Sequence, residues 1–244
     1  MKDNFSKQAA AYAKFRSGYS DEVVQYLASV CEQKNLAWDC GTGNGQLALK
    51  LSSVFETVYA TDISTKQLDK AEQRDNIIYI EESAEQTDFD DEMFDLITIA
   101  QAIHWFNFDA FYAEAKRCLH PKGMIAVIGY GLLKVNEEID SIVSRFYKNI
   151  IGSYWDKERR YVDEEYLTIP FPFEEIQAPK FSLNYDWTYE QMIGYLSSWS
   201  AVQHYMKANN SNPIDLINDD LSKAWSNETR EMRFDLFTRI GKKN

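Results

Sequence analysis

The sequence predicts an α/β fold: a mostly parallel sheet flanked by helices, finished by an antiparallel C-terminal strand pair and covered by a helical cap. Three observations carry this. Residues 36–129 alternate short apolar runs with amphipathic stretches, the β-α-β order that builds a parallel sheet with helices on both faces. Two later segments, Phe181–Trp187 and Glu231–Ile240, alternate apolar with polar residues, which marks strands with one wet face. The 244 residues suit one sizeable domain able to bury a core.

Taken in order, Leu36–Cys40 reads as a strand and Gly45–Val54 as the helix after it. Thr57–Thr61 is a second strand. Ser64 opens the next helix, with Gln67 completing a capping box. Ile77–Ile80 is a short strand, Phe94–Ala100 a longer one, and Asn107–Leu119 a helix. Pro121-Lys122-Gly123 turns the chain into the strand Met124–Gly129, and Glu137–Ile151 is helical. In the late pair, Phe181, Leu183, Tyr185 and Trp187 form one apolar face, and Met232, Phe234, Leu236 and Ile240 the other. These two strands are expected as partners at one sheet edge, with the helical stretch Thr188–Ala224 inserted over the sheet. The whole chain, 1–244, reads as one domain. It has a helical lid at 1–35, a core at 36–129, cap insertions at 130–180 and 188–228, and the strand pair at 181–187 and 231–240.

Charge narrows the partners. The formal net charge is -12, and no long basic stripe offsets it, so neither a phosphate backbone nor an anionic membrane surface is a natural partner. No run of 18 apolar residues spans a bilayer, and residues 1–7 lack the apolar run of a signal peptide. Cys31, Cys40 and Cys118 are far apart and odd in number, which suggests neither a disulfide framework nor a zinc site. The expectation is a soluble cytoplasmic protein with a small-molecule partner, no metal, and an oligomeric state the sequence leaves open.

The strongest local signal is Asp39-Cys40-Gly41-Thr42-Gly43-Asn44-Gly45, which follows a predicted strand and opens a predicted helix. Glycines allow a tight turn and close approach of a ligand to the backbone, and the helix start offers free N–H groups. Asp62 ends the next strand, 21 residues after Gly41, where a carboxylate can take ribose hydroxyls. Each feature alone reads as a glycine turn or a capping acid; together they point to nucleoside binding. The loop is G-x-G-x-G, not the G-x-G-x-x-G of dinucleotide enzymes. An acid two residues before it would repel a pyrophosphate but suits an ammonium group.

With Asp39–Gly45, Asp62, Ser83-Ala84-Glu85 and Gln101-Ala102-Ile103-His104-Trp105-Phe106 in place, the chain resembles the class I S-adenosylmethionine-dependent methyltransferases. The Gln-Ala-x-His-Trp-Phe run, Tyr12 and Arg16, Tyr154-Trp155 through Asp163, and Tyr195-Leu196 through Val202 resemble more narrowly the trans-aconitate methyltransferase-like group. The resemblance implies a Rossmann-like, seven-stranded sheet and S-adenosylmethionine as cofactor. It implies that Gly41, Thr42, Gly43 and Gly45 cradle the methionine and ribose portions, and that Asp39 orients the amino group. Asp62 would bind the ribose hydroxyls, Ile63 would pack beside adenine, Ser83 and Ala84 would meet the adenine edge, and Gln101 would lie near the methionine group.

Methyl transfer from a sulfonium is an in-line displacement, so an ionised carboxylate acceptor needs no base. A hydroxyl needs a proton acceptor, and His104 is the histidine beside the expected crevice; it reads as a packing or positioning residue more readily than as a base. Trp105, Tyr12, Tyr19, Trp155 and Trp199 are candidates to line the methyl and substrate site. Arg16 suits a carboxylate clamp and a solvated helix position equally. Residues 145–160 hold five basic side chains against two acidic ones, and Arg159 and Arg160 there are candidates to receive a carboxylate such as trans-aconitate. A solvated helix face explains the same charges. An O- or N-methyltransferase for an apolar hydroxyl or amine, and a non-catalytic binder of the cofactor, stand as alternatives.

Overall fold

The computed structural model describes residues 18–226 and 229–243. Tyr12 and Arg16 lie outside the described residues. The first helix, α1 (Asp21–Val30), is capped by Ser20, whose side chain accepts from the Val23 N–H, and carries Asp21 and Glu22 in its first turn. Both features stabilise a helix N-terminus. Its face of Val23, Val24, Leu27 and Ala28 is buried.

Five strands form the parallel part of the sheet: β1 (Leu36–Cys40), β2 (Thr57–Asp62), β3 (Ile77–Glu81), β4 (Phe94–Ala100) and β5 (Leu119–Tyr130). Helices α2 (Gln46–Leu51), α3 (Thr65–Leu68) and α4 (Phe108–Cys118) connect them. The spatial order is β3-β2-β1-β4-β5, all pairs parallel. Strand order reverses between β1 and β4, and in such sheets ligands bind outside the carboxyl ends at that switch point. The sheet is buried on both faces by two apolar clusters, so alternate residues of β1 belong to different cores: Ala37 to one, Trp38 to the other.

The cap follows β5. It comprises α5 (Glu137–Arg145), which continues into a π turn over 146–150, then α6 (Arg159–Asp163). After β7 (Phe181–Trp187) come α7 (Tyr189–Ser197), α8 (Ser200–Asn209) and α9 (Asn218–Trp225). The antiparallel pair sits as expected: β7 pairs with β8 (Arg230–Lys242) from Phe181 opposite Leu236 to Trp187 opposite Arg230. The second half of β8 pairs with β5 and, on its other edge, with the three-residue β6 (Glu174–Ile176). The seven expected strands are therefore joined by an eighth, too short to show a period.

Two local readings are corrected. Ser64 precedes α3, but its side chain makes no capping hydrogen bond. Its N–H, which a capping Gln67 would have used, donates to Asp62 Oδ1 at 2.9 Å. The capping box therefore does not form, and α3 is a single turn. The Pro121-Lys122-Gly123 turn is absorbed into β5, which starts at Leu119. Lys122 takes a left-handed φ of 67°, and the register with β4 shifts between Phe94 and Leu96.

Candidate active site

The carboxyl ends of β1, β2 and β4 open onto one crevice of about 780 Å³, part of it open to solvent. Pockets of that size hold small molecules. Its floor is the glycine loop. Gly41, Gly43 and Gly45 all have positive φ, at 69°, 59° and 80°. The outer two are also sterically required: a Cβ on Gly41 would sit 2.6 Å from Ala102 Cβ, and one on Gly45 would sit 2.4 Å from the Tyr79 hydroxyl. Beside Gly43 a Cβ would meet nothing within 4 Å, so the middle of the loop is bare backbone.

Hydrogen bonds fix that loop to two strands. The Thr42 N–H donates to Thr61 O at 2.9 Å, and the Gly43 N–H donates to Asp62 Oδ2 at 2.9 Å. Asp39 is 1% exposed. Its Oδ2 accepts from the Thr42 hydroxyl at 2.6 Å and the Ala48 N–H at 3.1 Å, and its Oδ1 accepts from the Thr98 hydroxyl at 2.8 Å. Burial pushes the Asp39 carboxyl up to about 6, opposed by those three donors. Asp39 thus ties the loop, α2 and β4 together while its edge lines the crevice.

Asp62, Ile63, Gln101, Trp105 and Tyr19 also line the crevice, with Gly41, Thr42 and Gly43. Asp62 accepts two backbone N–H groups, from Gly43 and Ser64, which aims its carboxylate. Gln101 has a left-handed φ of 55°; its backbone N–H donates to Ile128 O and its side-chain amide to Tyr130 O, both at 2.8 Å. Gly45 closes the loop as the residue before α2. Ser83 and Ala84 are not among the lining residues: the Ser83 hydroxyl donates to Glu85, and Ala84 is packed in the core. Asn44, Gln46, Leu47, Ser64, Gln67, Ala100 and Ala102 line the crevice as well and were not among the expected site residues. Gln46 and Leu47 were within reach of it, as the first turn after the loop.

A second cluster lies behind the crevice wall. His104 is buried, its ring 4.9 Å from that of Trp105 and its Nδ1 2.9 Å from the Tyr166 hydroxyl. Burial, aided by the charge of Arg159, pulls its pKa down to about 3. The Arg159 guanidinium lies over the rings of Trp155 at 4.8 Å and Tyr147 at 5.2 Å. Its Nε donates to the Tyr147 hydroxyl at 2.7 Å, which in turn donates to Asp163 at 2.5 Å. Neither terminal nitrogen of Arg159 donates a hydrogen bond among the described residues. Trp199 is buried against Tyr147 and Trp155 and props the cage from behind. The basic segment therefore divides: Arg159 is half-buried on Tyr147 and Trp155 beside Asp163 and is not among the residues lining the crevice, Arg160 is exposed and lies over Tyr161, and Arg145 is paired with Asp220.

Comparison with known proteins agrees with this geometry. Residues 38–127 match the family model described as a methyltransferase domain. A Dictyostelium discoideum protein named as a methyltransferase is 37% identical over 227 residues, covering 91% of this chain and 86% of its own. A Mycobacterium tuberculosis protein, also named as a methyltransferase, is 26% identical over 201 residues, 82% of this chain and 78% of its own. The solved structure of an Anaeromyxobacter dehalogenans protein named as a type II methyltransferase superposes with a TM-score of 0.88 at 33% identity, covering 93% of this chain and 98% of that one.

Proposed function

We propose, for a chain that belongs to the class I S-adenosylmethionine-dependent methyltransferases, that the crevice over the glycine loop is where the cofactor binds and that the acceptor is a small carboxylate. The cofactor supplies an activated methyl on a positive sulfur. The residues fit it: bare backbone at Gly43, an aimed carboxylate at Asp62, and the acidic edge of Asp39 for an ammonium group. Asp62 would hold the ribose, Ile63 would flank the base, and Trp105 and Tyr19 would wall the methyl end.

The observation that carries the acceptor class is Arg159. A guanidinium whose Nε is anchored while both terminal nitrogens stay available is a preset fork for a carboxylate. The cage around Tyr147 and Trp155 gives it a low-dielectric setting. Such an acceptor, of which trans-aconitate is one example, attacks through its own ionised oxygen, so the protein's task is alignment and exclusion of water. The net charge of -12 supports a small-molecule partner over nucleic acid, and three buried free cysteines support a reducing, cytoplasmic setting. No helix among the described residues is long and apolar enough to cross a membrane.

Two measurements test this. Calorimetry should show one site for S-adenosylhomocysteine, and turnover of a metabolite panel should select carboxylates; no binding of the adenosyl ligand would reject the crevice reading. The second is the pH profile. The His104 pKa is lowered to about 3, so the ring is neutral above that pH and a poor proton acceptor. Its contribution to stability is complete above the unfolded value of about 6.5 and is lost as pH falls through about 3. With a carboxylate acceptor, kcat/KM should follow the same pH profile in His104→Gln as in the natural protein, with any step near 6 belonging to Asp39. An inflection near 6.5 that vanishes in His104→Gln would favour a hydroxyl or amine acceptor and make His104 its base.

A further inference from the structure

The failed capping box leaves a buried amide with its oxygen unanswered. Gln67 is 4% exposed, lines the crevice beside Asp62, Ile63 and Ser64, and its Oε1 has no hydrogen-bond partner among the described residues. The N–H it would have capped, that of Ser64, is taken by Asp62. Its own backbone N–H donates to Ser64 O at 2.9 Å, fixing the turn that directs the side chain inward. Buried polar atoms are nearly always paired, and an orphan costs its full desolvation. An orphan on the wall of a binding crevice is explained when a ligand supplies the missing partner.

The chemistry of the atom names that partner. An amide oxygen only accepts, so the ligand must offer a donor at this end of the crevice. The Asp62 carboxylate, which accepts the Gly43 N–H of the glycine loop, marks the same end as the place of the sugar. We propose that Gln67 Oε1 accepts a hydrogen bond from a ribose hydroxyl of the bound cofactor, so that Gln67 and Asp62 divide the recognition of the sugar. This rests on the reading of the crevice as the cofactor site.

The proposal makes a prediction of opposite signs. In Gln67→Met, a side chain of similar length without the amide, the ligand-free protein should melt at a higher temperature, because the orphaned oxygen is gone. Its affinity for S-adenosylhomocysteine should fall about tenfold, the scale of one lost hydrogen bond and its stranded donor. The 2′-deoxy and 3′-deoxy analogues of S-adenosylhomocysteine identify the contact. The natural protein should bind at least one of them more weakly, and Gln67→Met should lose about tenfold of that discrimination. If Gln67→Met binds S-adenosylhomocysteine unchanged, or binds it weakly but discriminates the deoxy analogues as before, the proposal is overturned. If the natural protein itself fails to bind S-adenosylhomocysteine, the crevice reading falls first, a result distinct from either of these.

Discussion

Asp62→Ala is expected to weaken S-adenosylhomocysteine binding by about 2–4 kcal/mol, the range for lost charge-assisted hydrogen bonds and their stranded partners. Two structural effects add. The carboxylate that faces the sugar disappears, and the Gly43 and Ser64 N–H groups lose their acceptor. The second effect loosens the bare stretch of loop on which the ligand would lie. The fold should survive, since Asp62 is the last residue of β2 and is partly solvent-exposed. Asp62→Asn separates the two effects poorly but informatively: its oxygen can accept from one of the two N–H groups, while its NH₂ must face the other, donor against donor. It should therefore fall near the alanine variant in affinity. Calorimetry on both variants, with melting curves to confirm folding, is the check. An unchanged dissociation constant in Asp62→Ala would move the sugar site elsewhere in the crevice.

Arg159→Ala should raise KM for the acceptor about 10–100-fold while leaving cofactor affinity within about twofold, because a charge-assisted fork is worth a few kcal/mol and the glycine loop does not touch it. Lysine should recover only part of the loss, since a single ammonium cannot pair both carboxylate oxygens in one plane. Arg160→Ala should be silent: its side chain is exposed and lies on Tyr161. The cage supplies an internal control. Tyr147→Phe removes the hydroxyl that anchors Arg159 Nε but keeps the ring, so KM should rise by less than in Arg159→Ala with kcat little changed. Raising ionic strength should slow acceptor capture, since steering is screened beyond about 8–10 Å. Normal kinetics in Arg159→Ala, independent of salt, would reject the carboxylate acceptor and return the aromatic cage to a role in packing or in binding an apolar substrate.

The parts that were legible in the sequence are those written in short stretches of chain. The glycine loop needs positive φ at three positions within five residues, and only glycine meets that need together with the close approach of Ala102 and Tyr79. Asp62 was legible because one short helix and one strand fix its spacing from the loop. The edge pair was legible because a strand with one wet face alternates with period two. These local rules determined the fold class, the succession of strands along the chain and about half of the residues that line the crevice.

What only the tertiary structure decided depends on which of several partners a group finds. Ser64 and Gln67 have the spacing of a capping box, yet Asp62 takes the N–H that would complete it, and a capping residue becomes a crevice residue. Ser83 was expected at the adenine edge, but the nearby Glu85 carboxylate accepts a hydrogen bond from its hydroxyl. Arg159 and Arg160 are neighbours with the same charge; a helical turn sends one to the Tyr147–Trp155 cage and the other to solvent. Asp39 meets Thr98 across 59 residues, and His104 meets Tyr166 across 62. Such pairings are competitions among donors and acceptors brought together only when the sheet closes, so no window of sequence contains both competitors and no local pattern records which one wins.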